Sequence, residues 1–532
     1  MNRRQFIKRS TMACAAVALV PARLPAQTEK SAEQAPSDKA GTGEARGASG
    51  TGKVPDYAEY LLQHSDMDGL GPDGKPTGQK ATYTGASQAN ATVEKAMRHK
   101  MKLTKEEQAI LDGRDGEEKA KLMKILVAFG NAFGAEKLVD LGGAPHSNMF
   151  IGTAYMKSMI KMLDECAKAG LKAYAPYTVN PRPYDVYNVQ NNPKDMTMIY
   201  EGYREGQWDL DYVHVRLGAP DLNYRTCACY LDEVGNAPKP GTNVAWAESS
   251  AVNYGNSVLG IRTNRNGAGM DLIQAILGKA PTFGLMTDEG RMAKWLVEVK
   301  TSKEPDWGAV GTAIGRKCVE DVPYITGLEK YFKGGKVTAD NLHLLKAMGS
   351  ATASSGAVGL YHVEGVTPDA KEKGRKLLAK GYTTYVIDDK EQARIIGTFP
   401  NLWPDKNADP TAAFIGCPHN TYHEVIKWGK LVTEALDKAG KKKAAIPVYM
   451  FTPNKVRDRA IEEEGELVSK MKRAGMHATN MCAVSYAGMK GFSERVRGVT
   501  NSAKTRNYSS IRYFPDDVLV KIIVTGKIPK GA

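Results

Sequence analysis

The sequence predicts an α/β protein with mainly parallel sheets flanked by helices. Three observations carry that expectation. Short apolar, β-branched runs alternate with segments of about 10 to 15 residues of helical periodicity, the pattern of repeated strand–helix–strand units. Several of those runs end on glycine, as at Gly142-Gly143 and Gly416. The chain of 532 residues also exceeds what one hydrophobic core organises, so two or three subdomains are expected.

Taken in order, residues 1–26 carry Asn2-Arg3-Arg4-Gln5-Phe6-Ile7-Lys8, an apolar run from Met12 to Val20 and small residues before Pro25-Ala26. That is the form of a twin-arginine export signal, cut after Ala26 or Ala22. The apolar run is shorter than the roughly 20 residues that a bilayer span takes, so no stable membrane span is expected after signal removal. A periplasmic protein, exported already folded, is the expectation. Residues 27–89 are rich in Gly, Ala, Ser, Thr and charge and read as a flexible linker and appendage. The globular body spans 90–532.

In the body, Ala91–Met101 reads as a helix. Thr104 and Glu107 form a capping-box pattern at the head of the next one, and Glu117–Gly134 continues helical. Lys137–Leu141 reads as a buried strand, Thr153–Ala169 as a helix and Lys172–Tyr174 as a strand before the Pro/Asn-rich loop Thr178–Asp185. Helices are expected at Met196–Gly206, Asp271–Leu277 and Arg291–Lys300, with a strand at Thr282–Met286. Further helices are expected at Thr338–Ala347, Ala370–Ala379, His423–Ala439 and Val456–Ala474. They interleave with strands at Leu360–Val363, Tyr382–Ile387, Ala412–Ile415, Ala445–Phe451 and His477–Ala483. In such sheets ligands bind beyond the carboxyl ends of strands, which is where Cys417 and Cys482 fall.

The formal charge of +14 does not indicate nucleic acid: the export signal holds five basic and no acidic residues, and its removal leaves +9. The remaining lysines have acidic neighbours, as solvated helix faces do, and favour at most anionic small substrates. No nucleic-acid-binding motif is present.

The chemistry is expected in Tyr224–Gly269. This stretch has no clean helical or strand period, a dense set of small polar side chains and six glycines that allow close backbone approach to a ligand. Its apolar residues (Trp246, Val252, Tyr254, Ile261) imply partial burial around something polar, with a helix near Ala247–Val258. Of the cysteines, Cys166 and Cys318 read as core; Cys229, beside Cys227, reads first as inert, with a fourth ligand or a redox-active neighbour as the alternatives. Cys227, Cys417 and Cys482 each lie in or beside turn-rich polar segments, and three thiols meeting at strand ends can hold a metal or iron–sulfur centre. Their spacing alone is not diagnostic.

Thr226-Cys227 with Tyr230-Leu231, Trp246-Ala-Glu-Ser-Ser-Ala251, Asn256-Ser-Val-Leu-Gly-Ile-Arg-Thr-Asn-Arg265, His362-Val-Glu-Gly-Val-Thr-Pro368, Gly416-Cys-Pro-His419, Cys482 and Thr500-Asn-Ser-Ala-Lys504 together resemble the aconitase X family. The resemblance runs in order from about Met101 to the C-terminus. It implies an aconitase-like, multi-subdomain architecture and a hydro-lyase that removes water from a small hydroxy-acid. Members of the family act on cis-3-hydroxy-L-proline and 5-phosphomevalonate. An iron–sulfur cluster or mononuclear iron is implied, with Cys227, Cys417 and Cys482 as its ligands. Implied catalytic residues are Ser249, Ser250, His419 and Lys504. Implied substrate-binding residues are Asn256, Ser257, Arg262, Thr263, Arg265, Asn501 and Ser502. A guanidinium suits a substrate carboxylate, which directs attention to Arg262 and Arg265.

The chain departs from the family pattern at Cys229, where proline is usual, and at Asn480-Met481, where Asp-Thr is usual. The family's small swivelling domain, with its Gly-Ser-rich motif, is not found in this sequence, so a separate small subunit is expected to complete the site. Export disfavours a phosphorylated cytoplasmic substrate and favours a hydroxyproline-like acid. The competing expectation is a non-catalytic periplasmic protein that keeps the fold and binds a ligand or metal.

Overall fold

The computed structural model describes residues 99–531 apart from 153–155, 191, 204–205, 221–224 and 490–494. The expected export signal, the linker and nearly all of the expected helix Ala91–Met101 lie outside the described residues.

The first part of the body holds α1 (Lys105–Leu111), α2 (Glu117–Ala132), β1 (Leu138–Asp140), β2 (His146–Ser147), α3 (Lys157–Lys168), β3 (Thr178–Val179), α4 (Pro193–Tyr203) and α5 (Gln207–Leu217). α6 (Ser249–Tyr254) runs into a π-turn at 255–259, and α7 (Met270–Leu277) and β4 (Lys279–Pro281) follow. Next come β5 (Ala293–Lys300), α8 (Trp307–Cys318), β6 (Pro323–Thr326), α9 (Leu342–Ser355), β7 (His362–Val363), α10 (Pro368–Lys373), β8 (Leu378–Asp388) and α11 (Asp389–Gly397). The last part holds β9 (Ala412–Ile415), α12 (Tyr422–Lys438), β10 (Val448–Phe451), α13 (Asn454–Glu463), α14 (Gly465–Arg473) and β11 (Met476–Thr479). α15 (Ala483–Gly488), β12 (Gly498–Thr500), α16 (Ala503–Tyr508), β13 (Arg512–Tyr513) and α17 (Asp516–Thr525) complete it.

Two all-parallel sheets dominate, as expected for this class. One has the order β11-β10-β9-β12-β13, the other β7-β6-β5-β8. A short parallel pair, β2-β3, and an antiparallel pair, β1-β4, lie in the first part. Local signals start several helices, one of which, α8, was not expected from the sequence. Thr104 and Glu107 close a full capping box on α1, and Thr421 and Glu424 do the same on α12. Asp306 caps α8 by accepting from Ala309 N.

Four expectations are corrected. Arg291–Lys300 is not a helix: Ala293–Lys300 is an inner strand paired in parallel with β6 on one side and β8 on the other, a setting that suits its Trp295, Val297 and Val299. The strand expected at Thr282–Met286 is β4 instead, followed by a 3₁₀ turn at Gly284–Met286. Lys172–Tyr174 joins no sheet; single bonds from Ala173 N to Leu217 O and Tyr174 N to Ala275 O hold it against helix ends. Val456–Ala474 is two helices, broken at Glu464, whose φ of −132° and ψ of 40° leave the helical region.

The irregular segment around residue 250 is core, not surface. Val244, Trp246, Val252, Tyr254 and Ile261 belong to one apolar cluster with Ala413, Ile415, Val448 and Met450 of the five-stranded sheet. The four-stranded sheet has its own cluster, built with α8 and α9. Among the described residues no helix is long and apolar enough to cross a membrane.

Candidate active site

Strand order decides where a ligand can enter. In the five-stranded sheet the chain moves outward from β9 through β10 to β11, then returns to the other side of β9 with β12. The carboxyl ends of strands at such a reversal open a crevice. Three loops deliver the implied residues there. Gly416 leaves β9 at a φ of 103°, and a side chain on it would meet Asn420 at 2.3 Å, so glycine is required. Cys417 follows, joined to Pro418 by a cis peptide. Beyond β11, Cys482 caps α15. Beyond β12, Ser502 caps α16 and puts Lys504 in its first turn. Cys227 arrives from a fourth segment, two residues after Arg225 bridges to Val179 of β3.

His419 ties these loops together. Its backbone N–H donates to Cys227 Sγ at 3.3 Å. Its Nε2 lies 3.1 Å from the Met481 carbonyl, which only accepts, so Nε2 carries the proton. Nδ1 then accepts from the Thr226 hydroxyl at 2.9 Å. Burial holds the ring's pKa down to about 4, so it stays neutral. Its position is therefore that of a clip between the neighbours of Cys227 and Cys482; as placed, both ring nitrogens are occupied. From α9, Lys346 donates to the His419 carbonyl at 2.7 Å and pairs with Glu424 at 2.7 Å.

Between these loops lies an ion pair of Lys504 with Glu248, both nearly inaccessible to solvent. Glu248 is the N-cap of α6 and accepts from Ser250 N at 3.0 Å and Ser250 Oγ at 2.6 Å. Asn180 Nδ2 donates to its other oxygen at 3.2 Å. Lys504 Nζ also reaches Ser249 Oγ at 3.2 Å and Ser250 Oγ at 3.3 Å. Burial would raise the Glu248 carboxyl, but Lys504 and Ser250 outweigh it and hold the pKa at about 2. Burial alone would lower the Lys504 ammonium; Glu248 and the neighbouring Cys417 outweigh that and hold it above its ordinary value. The pair is thus charged across the neutral range.

The three thiols face this pair. Burial raises all of them, Cys417 to about 11. Cys417 influences Cys227, Cys482 influences Cys417, and Glu248 and Lys504 act on all three. Cys482 Sγ accepts from Ser485 Oγ at 3.3 Å. The six described cysteines are free thiols. Cys166 and Cys318 are core, and Cys229 is fully buried among apolar neighbours. Among the described residues no three His, Cys, Asp or Glu side chains are grouped so as to hold a single metal ion.

The structure therefore gathers Cys227, Cys417, Cys482, Ser249, Ser250, His419, Ser502 and Lys504. Ser502 Oγ donates to the Cys417 carbonyl at 2.5 Å. The other implied residues are engaged elsewhere. Asn256 donates to Thr263 O and Gly359 O and accepts from Thr263 N and Arg291. Ser257 Oγ accepts from Tyr361 N, and Thr263 Oγ1 accepts from Trp246 N. Arg262 pairs with Asp288 and reaches Met286 O; Arg265 reaches Ala357 O and Glu320. Asn501 turns to Asp516 of α17. Sequence reasoning missed Glu248, Asn180, Thr226 and Lys346. Glu248 and Thr226 had a signal, since both stand inside the motif blocks quoted above, whereas Asn180 and Lys346 had none.

Comparison with known proteins places the chain in a family. Residues 100–289 match the aconitase X first domain and residues 293–397 the aconitase X second domain. The phosphomevalonate dehydratase large subunit of Methanothermobacter thermautotrophicus is 33% identical over 410 residues, covering 77% of this chain and 94% of that one. The cis-3-hydroxy-L-proline dehydratase of Pseudomonas aeruginosa is 31% identical over 272 residues, 50% of this chain and 43% of its own. The crystal structure of the holo-form of Thermococcus kodakaraensis aconitase X matches with a TM-score of 0.63 at 28% identity, covering 80% of this chain and all of that one. The chain belongs to the aconitase X family.

Proposed function

We propose that this chain is the large subunit of an exported, iron–sulfur-dependent hydro-lyase that dehydrates a small, hydroxyproline-like hydroxy-carboxylate. The observation that carries the reading is the meeting of three thiols from separate loops around the buried Lys504–Glu248 pair, at the reversal point of a parallel sheet. The relatives named above are dehydratases, which supports water removal as the reaction.

The donor set fits a soft, iron-bearing group held by Cys227, Cys417 and Cys482. Among the described residues the three thiols are not grouped so as to hold a single metal ion, and in a cluster each thiolate would take its own iron. Such a group supplies a Lewis acid for the departing hydroxyl. The chain's own residues supply the rest. Lys504 presents a fixed positive charge and N–H donors to substrate oxygen. Ser249, half-buried and within reach of Lys504, is the hydroxyl best placed to orient a substrate. Glu248 keeps Lys504 protonated, and the His419 clip holds two of the cysteine loops in register. Raised thiol pKa values mean that loading the group must displace protons, so uptake is favoured at higher pH.

The partner and location are part of the same reading. The phosphomevalonate dehydratase relatives are named as large subunits, which supports a separate small subunit for this chain. The Arg3-Arg4 signal supports periplasmic delivery, and with it a non-phosphorylated substrate.

The experiment is anaerobic purification with iron and sulfide analysis, then assay of cis-3-hydroxy-L-proline dehydration with and without the small subunit. Cys417→Ser is expected to lose the iron and all turnover while keeping its far-UV circular dichroism. Unchanged iron in that variant would falsify the ligand assignment. Replacing Arg3 and Arg4 by lysine should leave the protein in the cytoplasmic fraction; continued export would refute the twin-arginine route.

A further inference from the structure

We infer that Arg182 and Arg225, held side by side on the single carboxylate of Asp211, form the seat for a carboxylate or phosphate group. The two guanidinium groups come from different segments. Arg182 lies in the Pro/Asn-rich loop, and Arg225 lies two residues before Cys227. Both reach the same acid on α5: Arg225 Nη2 donates to Asp211 Oδ1 at 2.5 Å and Arg182 Nη2 to Oδ2 at 2.6 Å. Gln207 Nε2 also donates to Oδ1, at 3.1 Å, so the carboxylate's oxygens are taken. Two cations on one anion leave one positive charge over.

Both guanidinium groups keep unused donors. Arg225 is 2% exposed, and its Nε has no acceptor; its Nη1 reaches only the Asn180 carbonyl, at 3.3 Å. Arg182 Nε is likewise buried without a partner, although a quarter of that side chain is open to solvent. A buried N–H without an acceptor is unfavourable, and more so on a charged group. An entering oxyanion removes that cost and neutralises the surplus charge, with the planar fork that guanidinium offers to carboxylate and phosphate.

The seat adjoins the thiol pocket. Cys482 N donates to Arg182 O at 2.7 Å, and Asn180, whose carbonyl touches Arg225, holds Glu248 with its amide at 3.2 Å. An acid held by its anionic end at Arg182 would lie beside the Lys504–Glu248 pair. Assigning the anion to the substrate rests on the dehydratase reading; the oxyanion seat itself does not. It also replaces Arg262 and Arg265, which are engaged elsewhere, as the guanidinium anchor.

The test uses the iron-loaded full chain, with its small subunit, as wild type, Arg182→Gln and Arg182→Lys. Binding of malonate and of inorganic phosphate is measured by calorimetry, and iron content and turnover of cis-3-hydroxy-L-proline are measured in parallel. Arg182→Gln should keep its iron, bind at least one of the two anions about tenfold or more weakly and raise KM more than it lowers kcat; Arg182→Lys should recover part of the affinity. Loss confined to malonate assigns a carboxylate seat, and loss confined to phosphate a phosphate seat. Unchanged affinity for both anions in iron-loaded Arg182→Gln overturns the inference and leaves the dehydratase reading intact. An anion effect in a wild-type protein that never binds iron sinks the dehydratase reading alone. Should Arg182→Gln not fold, wild-type crystals soaked in arsenate decide: anomalous density against Arg182 supports the seat, and density only elsewhere removes it.

Discussion

The two halves of one glycine-rich segment, 246–254 and 255–265, contain the same kinds of small polar side chains and use them in opposite ways. In the first half, Glu248, Ser249 and Ser250 surround Lys504 and face the thiols. In the second, Asn256, Ser257 and Arg265 bond to Gly359 O, Tyr361 N and Glu320 of the part containing the four-stranded sheet, Arg262 to Met286 O and Asp288, and Thr263 to the backbone of Trp246. The boundary between them is the π-turn at 255–259, which continues α6 and ends at Gly260 in the left-handed region. Motif density in a sequence therefore marks a region that matters, without saying whether each residue meets a ligand or anchors the fold that holds the ligand.

Variants in the first half should break function most severely. Lys504→Met leaves Glu248 buried without its cation, an unpaired charge that costs about 3–5 kcal/mol of stability. Turnover should fall by about 100-fold or more if Lys504 acts on the reacting oxygen. Adding Glu248→Gln should restore much of the stability, measured by denaturant unfolding, and none of the turnover. Recovery of both would mean that the pair is structural and that the comparison fails on its first side.

Variants in the second half should damage stability and spare chemistry. Asn256→Leu removes two donors and an oxygen that accepts from Thr263 N and Arg291, leaving buried partners unsatisfied at about 1–3 kcal/mol each. The expected loss is about 2–4 kcal/mol by chemical unfolding, with kcat and KM of the remaining folded protein unchanged.

Acid should separate the contributions by pH. Burial lowers His146 to about 4, His214 to about 3 and His419 to about 4, from an ordinary value of 6.5. Each stays neutral when folded and charges when unfolded, so its share of stability is complete above about pH 6.5 and is lost as pH falls toward 4. Glu248, lowered from 4.5 to about 2, contributes fully above pH 4.5 and fades only below it. Unfolding free energy should therefore fall in two stages, and Glu248→Gln should flatten the lower one alone. A loss beginning well above pH 7 would contradict both assignments.

How much of this was legible beforehand depends on how local the physics is. The cap at Thr104 and the strand Ala412–Ile415 follow from adjacent residues, and the structure has them in place. The Ala293–Lys300 strand was misread because a run of eight with charged residues at both ends satisfies helical and strand periods about equally. The cysteines, serines and Lys504 were found through motif resemblance, since nothing in their spacing brings them together. Arg182 and Arg225 gave no signal at all: their meaning comes from sharing Asp211, a contact that only the fold creates.

The smallest expected effect is the sharpest test of the division. Arg262→Ala removes a pair with Asp288, whose side chain is 70% exposed, and a donor to Met286 O at 3.0 Å. A solvent-exposed pair of this kind contributes about 0–1 kcal/mol, so unfolding should shift by no more than about 1 kcal/mol. Because Arg262 is turned toward Asp288 and the Met286 carbonyl, KM should stay within about twofold of wild type. A tenfold rise in KM, about 1.4 kcal/mol of lost binding, with stability intact would bring this guanidinium to the substrate. The second half of the segment would then share the chemistry of the first, and the π-turn would cease to be the boundary between them.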